Sequence, residues 1–194
     1  PRFTLGELSQ ERDQVVRRLV ASGLFDANRR HSLSPVPLRV GVVTSVGTAA
    51  WHDFHAELDR SGFAFHLAVC DTRVQGEWAV EMVAASIRTL TKRRDLDCVV
   101  VIGGGGDRNE LAKFDDEPIA LAIAASPIPV LTGLGHEVDR SVADEVAHTS
   151  LKTPTACATA LIDAVYDYRV AVEDRWSAVA ALARRELTDS ATAL

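Results

Sequence analysis

The sequence predicts an open, mostly parallel α/β sheet covered by helices on both faces. Three observations point there. Apolar runs at residues 38–43, 98–102 and 128–134 lack the alternation of a half-exposed strand, so both of their faces need cover. Each run is followed by apolar residues at helical spacing, which makes strand and helix alternate along the chain. The connections are short, and right-handed crossovers then fix the hand of the sheet. The arrangement is Rossmann- or flavodoxin-like, and a long C-terminal helix begins a helical arm beyond it.

The elements follow in order. Residues 5–22 carry Leu8, Val15, Val16 and Leu19 at helical spacing, and Gly23 supplies a common stop. After the connector Pro35-Val36-Pro37 a buried strand covers 38–43, and a helix covers 49–60. Residues 63–70 alternate toward a second strand, with a helix over 77–91. The continuous apolar strand 98–102 runs into Gly103-Gly104-Gly105-Gly106. A short helix and a longer one over 118–125 lead to the strand 128–134, and a further helix lies around 141–147. From 154 to about 188 the chain is almost unbroken helix former, interrupted only by aromatics such as Tyr166, Tyr168 and Trp176. A helix that long extends past a compact domain. The reading therefore divides the chain into a helical lead-in (1–35), an α/β domain (36–152) and the start of a helical arm (153–194).

Composition narrows the class. With 47% hydrophobic residues in 194, one domain with a sizeable core is expected. No apolar run approaches the roughly 20 residues that span a bilayer, and no signal peptide is recognisable, so neither a membrane nor export is expected. The chain opens at Pro1 rather than methionine, which points to a fragment or a processed chain. Cys70, Cys98 and Cys157 are widely spaced and form no Cys-x-x-Cys pair, which favours a cytoplasmic protein with reduced thiols over a cysteine zinc site. The 21 Lys and Arg against 27 Asp and Glu give a net charge of −6, which argues mildly against a stand-alone nucleic-acid module. Arg29-Arg30-His31 and Lys92-Arg93-Arg94 are the basic clusters that would supply a local track, although each alone reads as the solvated end of an element.

All four predicted strand exits, at Thr44-Ser45, Asp71, Gly103 and Gly133, fall on one sheet edge, where open α/β folds bind ligands. Chemistry concentrates there. Gly135-His136-Glu137-Val138-Asp139 sets a histidine and two carboxylates where a loop opens, and histidine moves protons near neutral pH. A lone histidine after a strand is often structural; its glycine and acidic neighbours favour function. The run Gly103 to Gly106 lets backbone N–H groups approach a phosphate, yet it lacks the Lys-Ser/Thr of a Walker loop, so an anion cradle and a plain turn stand level. Asp53, early on its helix, reads by itself as a surface carboxylate favoured by the dipole. His52 and His55 beside it lack zinc-protease spacing. Ser45 and Cys70 do not sit in nucleophile elbows.

Taken together these segments resemble the large subunit of exodeoxyribonuclease VII. The likeness rests on an ordered set spanning about residues 5–160: Gly23-Leu24-Phe25-Asp26, the strand Arg39 to Ser45, Ala49-Ala50 followed by Asp53, and Val74-Gln75-Gly76. It continues through the glycine run with Leu111, Phe114-Asp115-Asp116-Glu117, Ile128-Pro129-Val130, and Gly135 to Asp139 with Ala143-Asp144. Thr153-Pro154-Thr155-Ala156 completes it. The resemblance implies cleavage of single-stranded DNA from its ends, in partnership with several small subunits recruited by the helical arm. The family's N-terminal oligonucleotide-binding domain is not among these residues.

Carried over by motif, the family's essential aspartate, histidine and second aspartate fall on Asp53, His136 and Asp139. Its essential arginine falls on Gly103. That departure matters, because arginine forks a phosphate and offsets transition-state charge, worth on the order of 10²–10³ in rate. Arg108, in the same loop, is the candidate replacement. Asp107 stands at a usual serine, Asn109-Glu110 at an acidic pair, Ala112 at a usual tryptophan, Val46-Gly47-Thr48 at a Pro-Thr-Gly turn, and Ser150 where a basic residue is common. The expected roles are His136 as general acid or base, Asp53 and Asp139 orienting water or holding a cation, and Gly103, Gly104, Gly105, Gly106 and Arg108 binding phosphate. Mg²⁺ suits two carboxylates plus a phosphate, though the resemblance does not make a divalent ion obligatory. Two other readings stay open: a weakened or inactive scaffold that keeps the fold for partner binding, and an unrelated α/β enzyme for a phosphorylated ligand.

Overall fold

Helix α1 (Leu5–Ala21) ends where the sequence says it should. Gly23 adopts a φ of +70°, and the Leu24 N–H returns to the Leu19 carbonyl at 2.9 Å. Val15 and Leu19 are buried. The computed structural model describes residues 5–76, 78–103, 112–135 and 140–192.

Five parallel strands form one sheet: β1 (Arg39–Thr44), β2 (His66–Asp71), β3 (Cys98–Ile102), β4 (Val130–Gly133) and β5 (Thr149–Leu151), in the order β2-β1-β3-β4-β5. Val42 pairs with Val69 on one side and Val100 on the other. The open, parallel, doubly covered sheet is the one the apolar runs require. Strand β5 is an addition to the four strands readable in the sequence. Strand β2 begins only at His66, because residues 63–65 form a tight turn in which the Phe65 N–H reaches the Phe63 carbonyl at 2.9 Å.

Alternate residues of each strand enter different cores. Helices α1, α3 (Ala79–Thr91), α4 (Glu117–Ala124) and α5 (Val142–Val146) cover Val43, Val99 and Val101 with residues such as Ile87, Ile119 and Ile123. Helix α2 (Ala49–Arg60) and the first turns of α6 (Pro154–Thr192) cover Val40, Val42 and Val100 with Phe54 and Leu161. Each such buried side chain contributes about 1.5–3 kcal/mol.

Two glycines set how closely the layers approach. A Cβ on Gly133 would stand 2.6 Å from the Cys157 sulfur and 2.9 Å from the Thr153 carbonyl, so only glycine lets α6 start directly on β4. A Cβ on Gly41 would meet Leu96, Val99 and Leu90 at 3.0–3.2 Å. The lead-in is tied to the sheet by Asn28, which is fully buried. Its amide donates to the Ile128 carbonyl at 3.0 Å, and its Oδ1 accepts from the N–H groups of Val130 (2.8 Å) and His148 (3.1 Å).

Helix α6 has 39 residues, about 58 Å at 1.5 Å per residue. Its inner residues Ala158, Leu161 and Val165 are buried; beyond them Val172, Trp176, Val179, Leu182 and Leu187 are exposed.

Candidate active site

The strand order turns around between β1 and β3. The chain leaving β1 enters α2 on one face of the sheet, and the elements after β3 reach α4 on the other. The C-terminal ends of strands at such a switch point enclose the usual ligand crevice of an open α/β sheet.

Asp53 approaches that edge from the β1 side. Thr48 caps α2: its hydroxyl accepts from the Trp51 N–H (3.5 Å) and donates to the Ser45 carbonyl (2.7 Å). The preceding loop is held by Asp71 at the end of β2, whose carboxylate accepts the Val46 N–H at 2.9 Å. Asp53 then falls in the second turn, exposed, with no ion pair or hydrogen-bond partner for its side chain among the described residues. At about 100° per residue it lies roughly 200° around the helix from Trp51. Trp51 and His55 occupy the other flank, with ring centroids 5.1 Å apart, and His55 Nδ1 is 3.0 Å from an Asp59 carboxylate oxygen. His55 is thus directed to Asp59, while His52 is exposed.

Gly103 closes β3. It is buried, and its N–H reaches the Gly133 carbonyl at 3.3 Å. Among the described residues a Cβ there would meet only Leu134, at an ordinary 3.7 Å, so a Cβ is accommodated at this position. Gly104, Gly105, Gly106 and Arg108 lie outside the described residues, as do His136 and Asp139.

The two anchors of the His136 loop are described. On its upstream side Gly135 takes a φ of +82°, the left-handed region that favours glycine. Downstream, Ser141 and Asp144 form a reciprocal capping box at the start of α5. The Asp144 carboxylate, almost fully buried, accepts from the Ser141 N–H (3.2 Å), the Ser141 hydroxyl (2.8 Å) and the Thr132 hydroxyl on β4. One carboxylate therefore pins both sides of the loop to the sheet. Asp115 accepts the Val142 N–H at 2.8 Å, and Arg12 reaches Glu145 and the Arg140 carbonyl (3.3 Å) from α1.

These supporting groups were not singled out as site residues in the sequence. Ser141-x-x-Asp144 carries a readable capping signal, and Asp71 stands at a predicted strand exit; Thr132 and Arg12 carry none. Two further hydroxyls, on Thr44 and Thr72 at the ends of β1 and β2, are buried without a hydrogen-bond partner among the described residues. Of the basic clusters, Arg29 pairs with Asp26 at 2.8 Å and donates to the Glu145 carbonyl, a structural use. Among the described residues no three His, Cys, Asp or Glu side chains converge as a metal cage. Burial pushes the Cys98 thiol up to about 12 and likewise raises Cys157, so neither is a ready nucleophile.

Fold and edge together define a parallel α/β domain of the ligand-binding type, with an exposed carboxylate and two glycine exits on one rim. A family described as "Exonuclease VII, large subunit" matches residues 24–194, and the chain belongs to it. It is 36% identical over 186 residues to the exodeoxyribonuclease 7 large subunit of Ralstonia nicotianae, covering 96% of this chain and 42% of that protein. The Serratia proteamaculans subunit is 40% identical over 153 residues (79% and 33%), and that of Acaryochloris marina 39% over 159 (80% and 38%). The chain thus spans between a third and somewhat over two fifths of the length of these relatives. Among the described residues no helix is long and apolar enough to cross a membrane.

Proposed function

We propose that this chain is the nuclease part of a subunit that hydrolyses phosphodiester bonds in single-stranded DNA in the cytoplasm. Membership of the family is the observation that carries the reading. The switch-point geometry supports it by directing the Asp53 helix, the Gly103 exit and the Gly135 exit to one rim. Water attacks the phosphorus, the bond to the leaving sugar oxygen breaks, and that oxygen takes a proton. His136 serves as general acid or base in this transfer. Asp53 and Asp139 orient the water, and they are the residues that would hold Mg²⁺ where a cation takes part; the Asp53 carboxylate, exposed and without a partner among the described residues, suits that role. The amides of Gly104, Gly105 and Gly106, with Arg108, stabilise the charge developing on phosphate oxygens. The Gly103 N–H is taken by the Gly133 carbonyl, so Gly103, read as a phosphate-binding position in the sequence, contributes its place at the strand exit rather than a donor.

In the same reading residues 36–152 are the catalytic domain, and 153–194 begin the arm that recruits small subunits. Val165, Tyr168, Val172, Trp176, Val179, Leu182 and Leu187 fall within an arc of about 140° on α6. The face that packs on the sheet thus continues outward as an uncovered apolar stripe suited to a partner helix.

The test is degradation of end-labelled single-stranded DNA by the full-length subunit co-expressed with its small subunit, with and without EDTA. Cleavage that vanishes in His136→Ala and Asp53→Ala supports the reading. A well-folded complex that leaves DNA intact would assign the chain to a scaffold. Gly103→Arg sharpens the answer, since a Cβ there makes only an ordinary contact among the described residues. A gain of about 10²-fold or more would mean the phosphate contact is missing in this chain, and no gain would mean either that Arg108 already fills the role or that the site is inactive.

A further inference from the structure

We propose that the groove between the C-terminal ends of α3 and α4, at the sheet edge opposite the candidate active site, docks an acidic segment of a partner protein that carries an apolar anchor. The cavity has a volume of about 790 Å³, within the range of sites that hold a compact ligand or a few side chains. Its rim is Arg88, Lys92, Arg93 and Arg94. Among the described residues every ionisable side chain lining it is a cation, in a chain whose net charge is −6.

Among the described residues only one of the four has an acidic partner. Arg93 forks the Asp95 carboxylate at 3.0 and 2.6 Å, while Arg88, Lys92 and Arg94 make no ion pair with the described residues. A helix C-terminus accounts for a cation in its last turn. It does not account for three cations without a described partner gathered around an apolar floor. That floor is aliphatic: Leu121, more than a third exposed, with Ala125, Pro127 and Ile128.

The floor selects the class of occupant. Single-stranded nucleic acid is held where aromatic rings interleave with cations, so that bases stack. Among the described residues this groove has no aromatic ring in its lining, so bases have no platform. Aliphatic side chains below and guanidinium groups above instead suit a peptide that presents a leucine or phenylalanine beside several carboxylates, the acidic-motif mode of recognition by arginine clusters. The inference is independent of the nuclease reading, because the groove and the catalytic rim are at opposite ends of the strands.

Fluorescence anisotropy of the full-length subunit with its small subunit tests it. The probes are a labelled peptide of six aspartates followed by Leu-Leu-Phe, the same peptide ending in Ser-Ser-Ser, and a labelled twelve-nucleotide oligothymidylate. The apolar-ended peptide should bind about tenfold or more tightly than the serine-ended one, and Arg88→Glu with Arg94→Glu, or Leu121→Asp alone, should each weaken it about tenfold or more. All positions changed are exposed, and circular dichroism confirms that the variants fold. Absent binding, equal affinity for the two peptides, or affinity kept in the variants would overturn the proposal. So would oligothymidylate that displaces the peptide and loses its own affinity in the same variants, which would give the groove to nucleic acid.

Discussion

Two aspartates divide the carboxylate roles. Asp144 is buried and fully engaged by Ser141 and Thr132; Asp53 is exposed and engaged by nothing described. Asp144→Ala should cost roughly 1–3 kcal/mol, because it strands buried donors. Asp53→Ala should stay within about 0.5 kcal/mol of the parent while removing cleavage; urea midpoints beside nuclease assays separate the two. Asp116 behaves oppositely to a stabilising acid. Burial, and then the neighbouring Asp115, hold its carboxyl above the ordinary range, and it makes no capping hydrogen bond. A raised folded pKa means the folded state binds more protons, so stability falls as pH rises through that window. Asp116→Asn should therefore raise the thermal midpoint at neutral pH, with the gain vanishing at acid pH. The thiols divide too: alkylation of the native protein followed by mass spectrometry should label half-buried Cys70 and spare Cys98 and Cys157. At this scale the sequence displayed the helix around 141–147 and the helix position of Asp53. It could not display the Thr132 partner or the Asn28 splint, which exist only once distant segments meet.

Among the elements, β4 is the most tightly constrained. Gly133→Ala forces a methyl group against the Cys157 sulfur and a backbone carbonyl, and should cost about 1–3 kcal/mol by overpacking. Thermal unfolding measures it, and an unchanged midpoint would mean α6 can lift off the strand. Strands β1, β3 and β4 were legible because both faces of each are buried, which leaves an apolar run in the sequence. Strand β5 was not: Thr149–Leu151 is three residues long, half-buried and pairs only with β4, so its backbone bonds leave little trace in residue type. The candidate site was legible as an edge, since every strand exit had to share it. Whether Asp53 meets His136 and Asp139 there is a matter of loop geometry, which no periodicity encodes.

For the whole molecule, α6 joins two regimes in one element. Through Val165 it is a layer of the domain; beyond that it is a solvated helix with an apolar stripe. Amide hydrogen exchange should accordingly be slow in β1, β3 and β4 and fast along 170–192 when no partner is present, because a helix without tertiary packing is marginal. Slow exchange along the arm of the isolated chain would point to self-association. After Pro154 the helix contains neither proline nor glycine, so no residue in it provides a built-in joint. Its azimuth is consequently fixed at its root. Inserting a single residue near position 170 would swing the stripe by about 100° about the helix axis, whereas inserting seven would return it to within about 20°. The arm carries phase as well as reach, and a partner seated on it inherits its bearing from the place where α6 rests on Gly133.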